Sequence, residues 1–217
     1  MKIKWLGHSS FVLTESTGLS VVTDPFDESM VGYACNAPKT DVVTLSHAHG
    51  DHNHLKAVPG YKKVYNGETG AFEYNGIHIS GIPSFHDDAD GEVRGKNTIY
   101  KFGMDGVTVL HMGDIGEKCS PELIERLIPV NVLLIPVGGT YTVDAEEAKE
   151  YVDRLMPDIV IPMHYKRKHC ELDIDKVEPF LRLFDDECIE ECDELDLDRV
   201  DFDESDGTTR VIVLKKC

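Results

Sequence analysis

Long apolar runs are absent from this sequence of 217 residues. No segment approaches the roughly 18 to 20 apolar residues that a membrane-spanning helix needs, and the opening residues MKIKWLGHSS lack the apolar stretch of a secretory signal. Cysteine is sparse, with six residues scattered and no CxxC pair. These absences argue against a membrane protein or a secreted disulfide scaffold, and we expect a cytoplasmic protein with reduced thiols.

Positive charge is also scarce. Lys and Arg total 22 against 40 Asp and Glu, which gives a formal net charge of −18. A chain this acidic lacks the basic surface of a nucleic-acid-binding protein. Attraction to anionic membrane surfaces is disfavoured for the same reason.

Much of the negative charge lies in residues 185–206, DDECIEECDELDLDRVDFDESD. This segment contains thirteen acidic side chains and one arginine, a local balance of −12. The composition favours a solvated, partly disordered or edge segment. A role in subunit contact or cation binding is the alternative.

Short runs rich in β-branched residues, separated by Gly, Asp or Pro, predict many strands. Asp105-Gly106 lies between two apolar runs and predicts a tight hairpin. The runs VNVLLIPVG and DIVIPMHY are almost wholly apolar, which is typical of strands buried on both faces. We expect the last run, TRVIVLKK, to be an edge strand that could pair in a homo-oligomer.

Helices are predicted mainly in the second half of the chain. Ser120 followed by Pro121 is typical of a helix start. Asp144 with Glu147 three residues later predicts a capping box. The run DIDKVEPFLRLF is a weaker third helix, interrupted by Pro179. The pattern indicates one α/β domain over residues 1–217, with helices packed outside a layered sheet.

The decapeptide LSHAHGDHNH, residues 45–54, concentrates side chains that bind metals. His47 and His49 follow a predicted strand, where residues two apart point to the same side. Asp51 and His52 come directly after Gly50, which allows a sharp turn. Four ligands in six residues fit two adjacent ions better than one.

Two ions need further ligands, and three candidates follow later strand-like runs. They are His86 in PSFHDD, Asp114 in HMGDIG and His164 in IPMHYK. Imidazole and carboxylate ligands suit zinc, manganese or iron, and the absence of cysteine argues against a structural zinc site.

HAHGDH matches the HxHxDH motif, and with the later His, Gly-Asp and His elements the sequence resembles the metallo-β-lactamase superfamily over nearly its whole length. The resemblance implies a four-layer αββα sandwich with a dinuclear site at one edge. It implies His47, His49 and His86 as ligands of the first metal. It implies Asp51, His52 and His164 as ligands of the second, with Asp114 as the bridging carboxylate.

The motifs GHSSF, TDPF, HMGDIG, IPVGGTYT and PMHY are similar to the branch that contains L-ascorbate-6-phosphate lactonase and many uncharacterised metal-dependent hydrolases. The commonest β-lactamases have Cys where Asp114 stands here, which argues against antibiotic hydrolysis. The nucleases of the superfamily carry an added arm or an inserted domain. This chain has no room for the inserted domain, and its negative charge is wrong for binding RNA. Glyoxalase II relatives carry a helical C-terminal domain, which the acidic segment does not resemble.

Five further residues are candidates for supporting or substrate roles. Asp24 is expected to orient a metal-binding histidine, although it could simply start a turn before Pro25. His8 could line the site or be a buried structural histidine. His111 is expected to support the loop of Asp114. Tyr141, after two glycines, and Lys166 could hold an anionic substrate group, or be an ordinary aromatic and an exposed charge.

The sequence therefore predicts a dinuclear metal-dependent hydrolase with two divalent ions, most simply Zn²⁺, with Mn²⁺ and Fe²⁺ as alternatives. A metal-activated water would attack an ester, lactone, amide or phosphoester of a small molecule, with Asp51 and Asp114 as the catalytic carboxylates. An iron-dependent redox protein on the same fold is the alternative. A non-catalytic metal-stabilised module is a third hypothesis, which the complete ligand set argues against.

Overall fold

The computed structural model describes residues 1–200, 202 and 207–217, and two mixed β-sheets dominate it. The first sheet has six strands in the order β13-β1-β2-β3-β4-β5. Their bounds are Lys2–Gly7 (β1), Ser10–Thr14 (β2), Ser20–Thr23 (β3), Val42–Leu45 (β4), Lys63–Asn66 (β5) and Leu195–Asp196 (β13). β1 to β3 pair antiparallel, whereas β3, β4 and β5 pair parallel.

The second sheet has eight strands in the order β12-β14-β11-β10-β9-β8-β7-β6. Their bounds are Gly70–Tyr74 (β6), Ile77–Phe85 (β7), Lys96–Met104 (β8), Val107–His111 (β9), Val132–Pro136 (β10), Ile159–Met163 (β11), Ile189–Cys192 (β12) and Arg210–Leu214 (β14). β6 to β9 form an antiparallel meander, and the rest of the sheet is parallel. The predicted hairpin is confirmed, with Asp105 and Gly106 both at positive φ between β8 and β9.

In the part of the chain that the structure describes, four α-helices connect these strands: Glu28–Val31 (α1), Pro121–Leu127 (α2), Ala145–Leu155 (α3) and Glu178–Leu181 (α4). Both predicted caps are confirmed: Ser120 accepts from the backbone of α2, and Asp144 with Glu147 forms a complete capping box on α3. The weak third helix is only the single turn α4, because Pro179 allows a helix start but no preceding turn.

The hydrophobic core joins the two sheets and the helices of the second half. Trp5 and Phe11 of the first sheet lie in one buried cluster with Tyr100 and Phe102 of the second. The same cluster takes in buried side chains of α2, α3 and α4, which therefore cover the eight-stranded sheet. This arrangement confirms the predicted αββα sandwich.

The outer face of the six-stranded sheet has a thinner cover. A second, smaller cluster contains Leu6, Val12, Val22, Val43 and Leu45. It is completed by a 3₁₀ turn at residues 55–57 and by the loop that follows α1, and no long helix of the described residues lies above it.

The end of the chain corrects one expectation, on β14, and decides between the alternatives of another, because the acidic segment is an edge segment. β14, the run predicted as an edge strand, lies between β11 and β12 and is paired on both sides, so it offers no free edge to another subunit. The acidic segment contributes β12 and β13, one edge strand to each sheet. Its Leu195 and Leu197 are buried in the main core, so residues 189–197 are part of the fold and not a solvated appendage. Residues 201 and 203–206 lie outside the described residues.

Two further findings concern the cysteines and the lengths of the helices. All six cysteines are free thiols. Among the described residues, no helix is long and apolar enough to cross a membrane.

Candidate metal centre

The histidine-rich loop begins where β4 ends. A turn brings the backbone N–H of His52 to the carbonyl of His49 at 2.9 Å, and the Asn53 side chain donates to the carbonyl of Ala48 at 2.6 Å. Gly50 packs so closely on Met30 that a Cβ atom would lie 2.4 Å from its sulfur. The loop is therefore fixed by its own backbone and by α1.

The first group of possible metal ligands contains His47, His49 and His86. One nitrogen from each ring lies within 4.8 Å of the others. His47 and His86 are buried, whereas His49 is exposed and gives the group a face towards solvent. His86 follows β7 directly, so the end of this strand in the second sheet meets the β4 loop of the first.

The second group contains His8, Asp51, His52 and His164, again with one ligand atom each within 4.8 Å of the others. All except Asp51 are fully or almost fully buried. His8 follows β1, and its Nε2–H donates to Asp51 Oδ2 at 3.2 Å. Its ring lies 4.2 Å from that of His164, centroid to centroid. His8 therefore lines the site, and the alternative of a structural histidine satisfied only by backbone does not apply.

Asp114 lies between the two groups, after β9. Its Oδ2 is 3.3 Å from Nε2 of His86 and 3.3 Å from Nε2 of His164. Its Oδ1 is 3.1 Å from Nε2 of His52. One carboxylate thus reaches both groups, which is the geometry a bridging ligand needs.

Asp24 orients two of the imidazoles. His52 Nδ1 donates to Asp24 Oδ2 at 2.9 Å, and the Ser46 hydroxyl donates to the same oxygen at 2.5 Å. Ser46 in turn accepts from His47 Nδ1 at 2.9 Å. Asp24, His47 and His52 also form a close group, but their nearby atoms are already engaged in these bonds. The result is that Nε2 of both histidines faces the centre, as the prediction for Asp24 requires.

His111 lies against the turn that carries Asp114. Its Nε2–H donates to the carbonyl of Ser9 at 2.8 Å, and its Nδ1 accepts from the N–H of Gly113 at 3.2 Å. Gly113 has φ +57°, and a Cβ there would lie 2.3 Å from the Asn97 side chain. The turn that presents Asp114 therefore needs glycine at this position.

Burial and the surrounding charges separate the protonation states of the histidines. Burial, with the charge of His52 nearby, lowers the pKa of His47 to about 3. Burial likewise lowers the pKa of His8 to about 4. Burial opposes a charge on His52 too, but the carboxylates of Asp114 and Asp51 outweigh it and raise its pKa well above the usual value. His47 and His8 are therefore neutral near pH 7, whereas His52 holds a proton in the metal-free protein.

The carboxylates complete the electrostatics. Although burial alone would raise it, the charges of His164 and His52 hold the pKa of Asp114 well below its usual range. Burial would also raise the pKa of Asp51, but the charge of His52 and the hydrogen bond from His8 outweigh it and lower that pKa. Both carboxylates are ionised near pH 7 and present charged oxygens to the centre.

The residues fit divalent metal ions. Nε2 of His47 is buried with no hydrogen-bond partner among the described residues, and Nε2 of His52 and of His164 lies next to the carboxylate of Asp114, at 3.1 and 3.3 Å. Buried polar atoms normally have partners, because leaving one unpaired costs free energy. Lone pairs that converge on one point from imidazole and carboxylate groups are what zinc, manganese or iron would bind.

The two predicted substrate residues lie outside this cluster. The ammonium group of Lys166 donates to the backbone carbonyl of Leu172, so it stabilises a neighbouring loop. Tyr141 is 36% exposed, and its ring lies under the guanidinium of Arg94 at 5.8 Å. Neither contact involves the metal-binding groups.

Sequence reasoning missed Ser46 and Asn97. Ser46 links Asp24 to His47, and its position directly before the motif was the available signal. Asn97 Oδ1 accepts from the N–H of Asp114 at 3.1 Å, and its amide donates to the carbonyl of Met112 at 2.9 Å. Nothing in the run GKNTIY marks Asn97, because its partners are distant in sequence.

Comparison with known proteins agrees with this geometry. Residues 2–164 match the family model of the β-lactamase superfamily domain. A UPF0173 metal-dependent hydrolase of Nanoarchaeum equitans is 31% identical over 192 residues, which cover 76% of this chain and 84% of that protein.

Two solved structures are also similar. One, from Thermotoga maritima, is assigned as a Zn-dependent hydrolase of the metallo-β-lactamase superfamily. It has 37% identity and a TM-score of 0.78, and the match covers 98% of this chain and 97% of that one. Igni18, a metallo hydrolase of Ignicoccus hospitalis, has 26% identity and a TM-score of 0.58, with coverage of 76% and 82%. By sequence and by fold, the chain belongs to the metallo-β-lactamase superfamily.

Proposed function

We propose that this protein is a dinuclear metal-dependent hydrolase of small molecules. The observation that carries the proposal is Asp114, whose two oxygens face ligand groups on both sides. The names of its relatives, metal-dependent hydrolases, support the same class of reaction. The substrate bond would be an ester, lactone, amide or phosphoester.

The proposed ligands are those of the two groups without His8, whose Nε2–H donates to Asp51. His47, His49 and His86 would hold one ion. Asp51, His52 and His164 would hold the other, and Asp114 would contact both. The nitrogen and oxygen donor set suits Zn²⁺ best, with Mn²⁺ and Fe²⁺ as alternatives. Such a pair of ions, when bound, supplies an activated water and positive charge for a developing oxyanion.

The chain's own residues would orient these groups and move the proton. Asp24 and Ser46 keep Nε2 of His52 and His47 directed at the centre. Asp51 Oδ2 would accept the proton that the attacking water releases, because it is ionised and partly open to solvent. His8 Nε2–H fixes the orientation of that oxygen. No serine or cysteine nucleophile is needed.

The test combines metal analysis with an activity screen. Purified protein should contain about two ions per chain and, after reconstitution, cleave at least one of a lactone, phosphodiester or acyl ester panel. His86→Asn should lose metal and activity. His78→Asn is the matched control, because His78 is exposed at the far end of the same strand, β7.

Two outcomes would contradict the proposal. A protein that carries two ions but cleaves none of these bond types would not be the proposed hydrolase. Iron with oxygen-dependent turnover would instead support the redox alternative.

A further inference from the structure

A groove of about 810 Å³ lies beside the first ligand group. His47 and His49 form part of its wall. The wall continues along the ends of β5 and β7 and the start of β8, where Asn66, Thr69 and Thr98 supply polar side chains. A molecule in this groove would therefore touch the candidate metal centre at one end.

The groove is locally cationic in a strongly acidic protein. Arg94, Lys96 and Arg126 line it, and Glu117 is the only carboxylate among the described lining residues. The whole chain has 40 acidic against 22 basic side chains. The groove, with three cations to one carboxylate, is thus opposite in sign to the net charge of the chain. A local positive potential attracts anions.

All three cations are tied to the chain around His86. Arg94 and Lys96 flank Gly95, whose carbonyl accepts from the backbone N–H of His86 at 3.0 Å. Arg126 Nη2 donates at 2.8 Å to the carbonyl of Pro83, three residues before His86 on β7. The distance between these charges and the ligand group is therefore set by one short stretch of backbone.

Hydrogen bonds fix the turn that carries Arg94 before any ligand binds. Asp87, almost fully buried, accepts backbone N–H groups of Ala89, Gly91, Val93 and Arg94 at 2.7 to 3.1 Å. Arg94 Nη2 also donates to the carbonyl of Thr140 at 3.0 Å. A side chain fixed in this way loses little further entropy when it binds a ligand.

Glu117 only partly offsets the cations. Its Oε2 accepts from the N–H of Phe85 at 3.2 Å, which directs one oxygen at the backbone. Burial raises its pKa, so its negative charge is held less firmly than that of an exposed glutamate.

We propose that this groove binds an anionic group of the substrate, a phosphate or a carboxylate, through Arg94, Lys96 and Arg126, next to the bond that is cleaved. That the bound anion belongs to a substrate rests on the proposed hydrolase function. The anion site itself does not depend on that function. Arginine forms paired hydrogen bonds with either anion, and lysine adds a point charge.

The first experiment uses inorganic phosphate and acetate as probes on the full-length protein as purified with its metal. Binding is measured by calorimetry for the wild type, Lys96→Gln, Arg126→Gln and the double variant. Each single variant should weaken phosphate binding about tenfold, the effect of losing one charged hydrogen bond. Both side chains are exposed, so the variants should fold, and thermal melts and metal content would verify this. Lys149→Gln is the control, because Lys149 lies on α3 away from the groove.

The second experiment uses a matched set of short acyl esters that end in phosphate, carboxylate or hydroxyl. The wild type should prefer the charged esters by about tenfold or more in kcat/KM. That preference ratio should fall towards one in the double variant and stay unchanged in Lys149→Gln. The ranking of phosphate against carboxylate identifies the anion.

The two proposals fail in different ways. Ester cleavage with no charge preference, together with phosphate binding that does not depend on Lys96 or Arg126, would overturn the anion groove and leave the hydrolase. If nothing in the lactone, phosphodiester and acyl ester panel is cleaved but phosphate binding falls only in the groove variants, the hydrolase is wrong and the anion groove stands.

Discussion

Asp24 shows how one buried carboxylate can set the direction of two imidazoles. It lies at φ +38°, a backbone conformation that few residues adopt. Burial opposes its charge, but the hydrogen bond from His52 and the neighbouring histidines lower its pKa. The strained position is stable because its oxygens accept three hydrogen bonds, from the Ser46 backbone, the Ser46 hydroxyl and His52.

Replacing Asp24 should therefore weaken both metal sites. Asp24→Asn should lower metal affinity about 10- to 100-fold, the usual effect of losing a partner that orients a ligand. Ser46→Ala should have a smaller effect, limited to the ion held by His47. Competition with a chelator of known affinity measures both, and equal losses in the two variants would contradict the proposed relay through Ser46.

Asp114→Ala should reduce the metal content from about two ions per chain towards one and abolish activity. Without the shared carboxylate, the repulsion between two cations is less well screened. Elemental analysis after desalting gives the stoichiometry. Two ions retained in the variant would show that Asp114 is not the bridge.

Metal uptake at pH 7 should release a proton from His52. Its pKa is raised in the metal-free protein, and a protonated imidazole has no lone pair for a metal. The stabilisation from its contacts with Asp114 and Asp24 is thus full below the unfolded pKa of about 6.5 and is lost as pH rises through the raised value. Metal binding depends on pH in the opposite sense. Because His52 must lose its proton to bind a metal, metal affinity should fall on acidification. Calorimetry in buffers of different ionisation enthalpy counts the protons, and a count of zero would refute the assignment.

At the scale of elements, local rules succeeded where the signal was local. The caps at Ser120 and Asp144 and the turn at Asp105-Gly106 were predictable because each depends on a few adjacent residues. The close grouping of histidines in the loop after β4 was predictable for the same reason.

The acidic segment could be predicted only as one of several alternatives, of which the edge segment holds, because its fold depends on distant partners. Charge composition alone predicts solvent exposure, yet alternate residues of an edge strand can face the core. Glu190 pairs with Arg210 on β14, and Glu194 pairs with Lys2 and Lys4 on β1. These cations lie far away in sequence, so no local pattern showed that the segment would be paired.

Leu197 tests this corrected view of the segment. Leu197→Ala should destabilise the fold by about 2–4 kcal/mol, because it removes a buried side chain from the main core. Glu191→Ala, at an exposed position of β12, should change stability little. Urea denaturation measures both. A negligible effect of Leu197→Ala would restore the view that the segment is a surface appendage.

At the scale of the molecule, the metal centre joins the two sheets. The β4 loop comes from the six-stranded sheet, whereas His86, Asp114 and His164 follow strands of the eight-stranded sheet. The family resemblance predicted this sandwich, but strand order at its far edge was not predictable. The placement of β14 between β11 and β12 depends on packing over the whole sheet, which no short sequence pattern records.

Removal of metal should therefore lower the stability of the whole protein. At a free metal concentration of 100 times Kd, one bound ion stabilises the folded state by about 2.7 kcal/mol. For a chain of this size, 1 kcal/mol shifts Tm by about 2–4 °C, so chelation should lower Tm by roughly 5–10 °C. Calorimetric melts with and without chelator test this. Asp114→Ala should show a smaller difference, and an unchanged wild-type Tm would argue that the ions do not link the sheets.

The positions of the ligands along the chain also determine the order in which they are synthesised. The proposed ligands are spread from His47 to His164 and follow β4, β7, β9 and β11. A nascent chain that has emerged only as far as residue 114 would display HAHGDH, His86 and Asp114 without His164. The eight-stranded sheet is complete only when residues 210–214 insert between β11 and β12. A site with all of the proposed ligands can therefore form only after residue 164 has been synthesised, so the complete site cannot guide the pairing of the earlier strands.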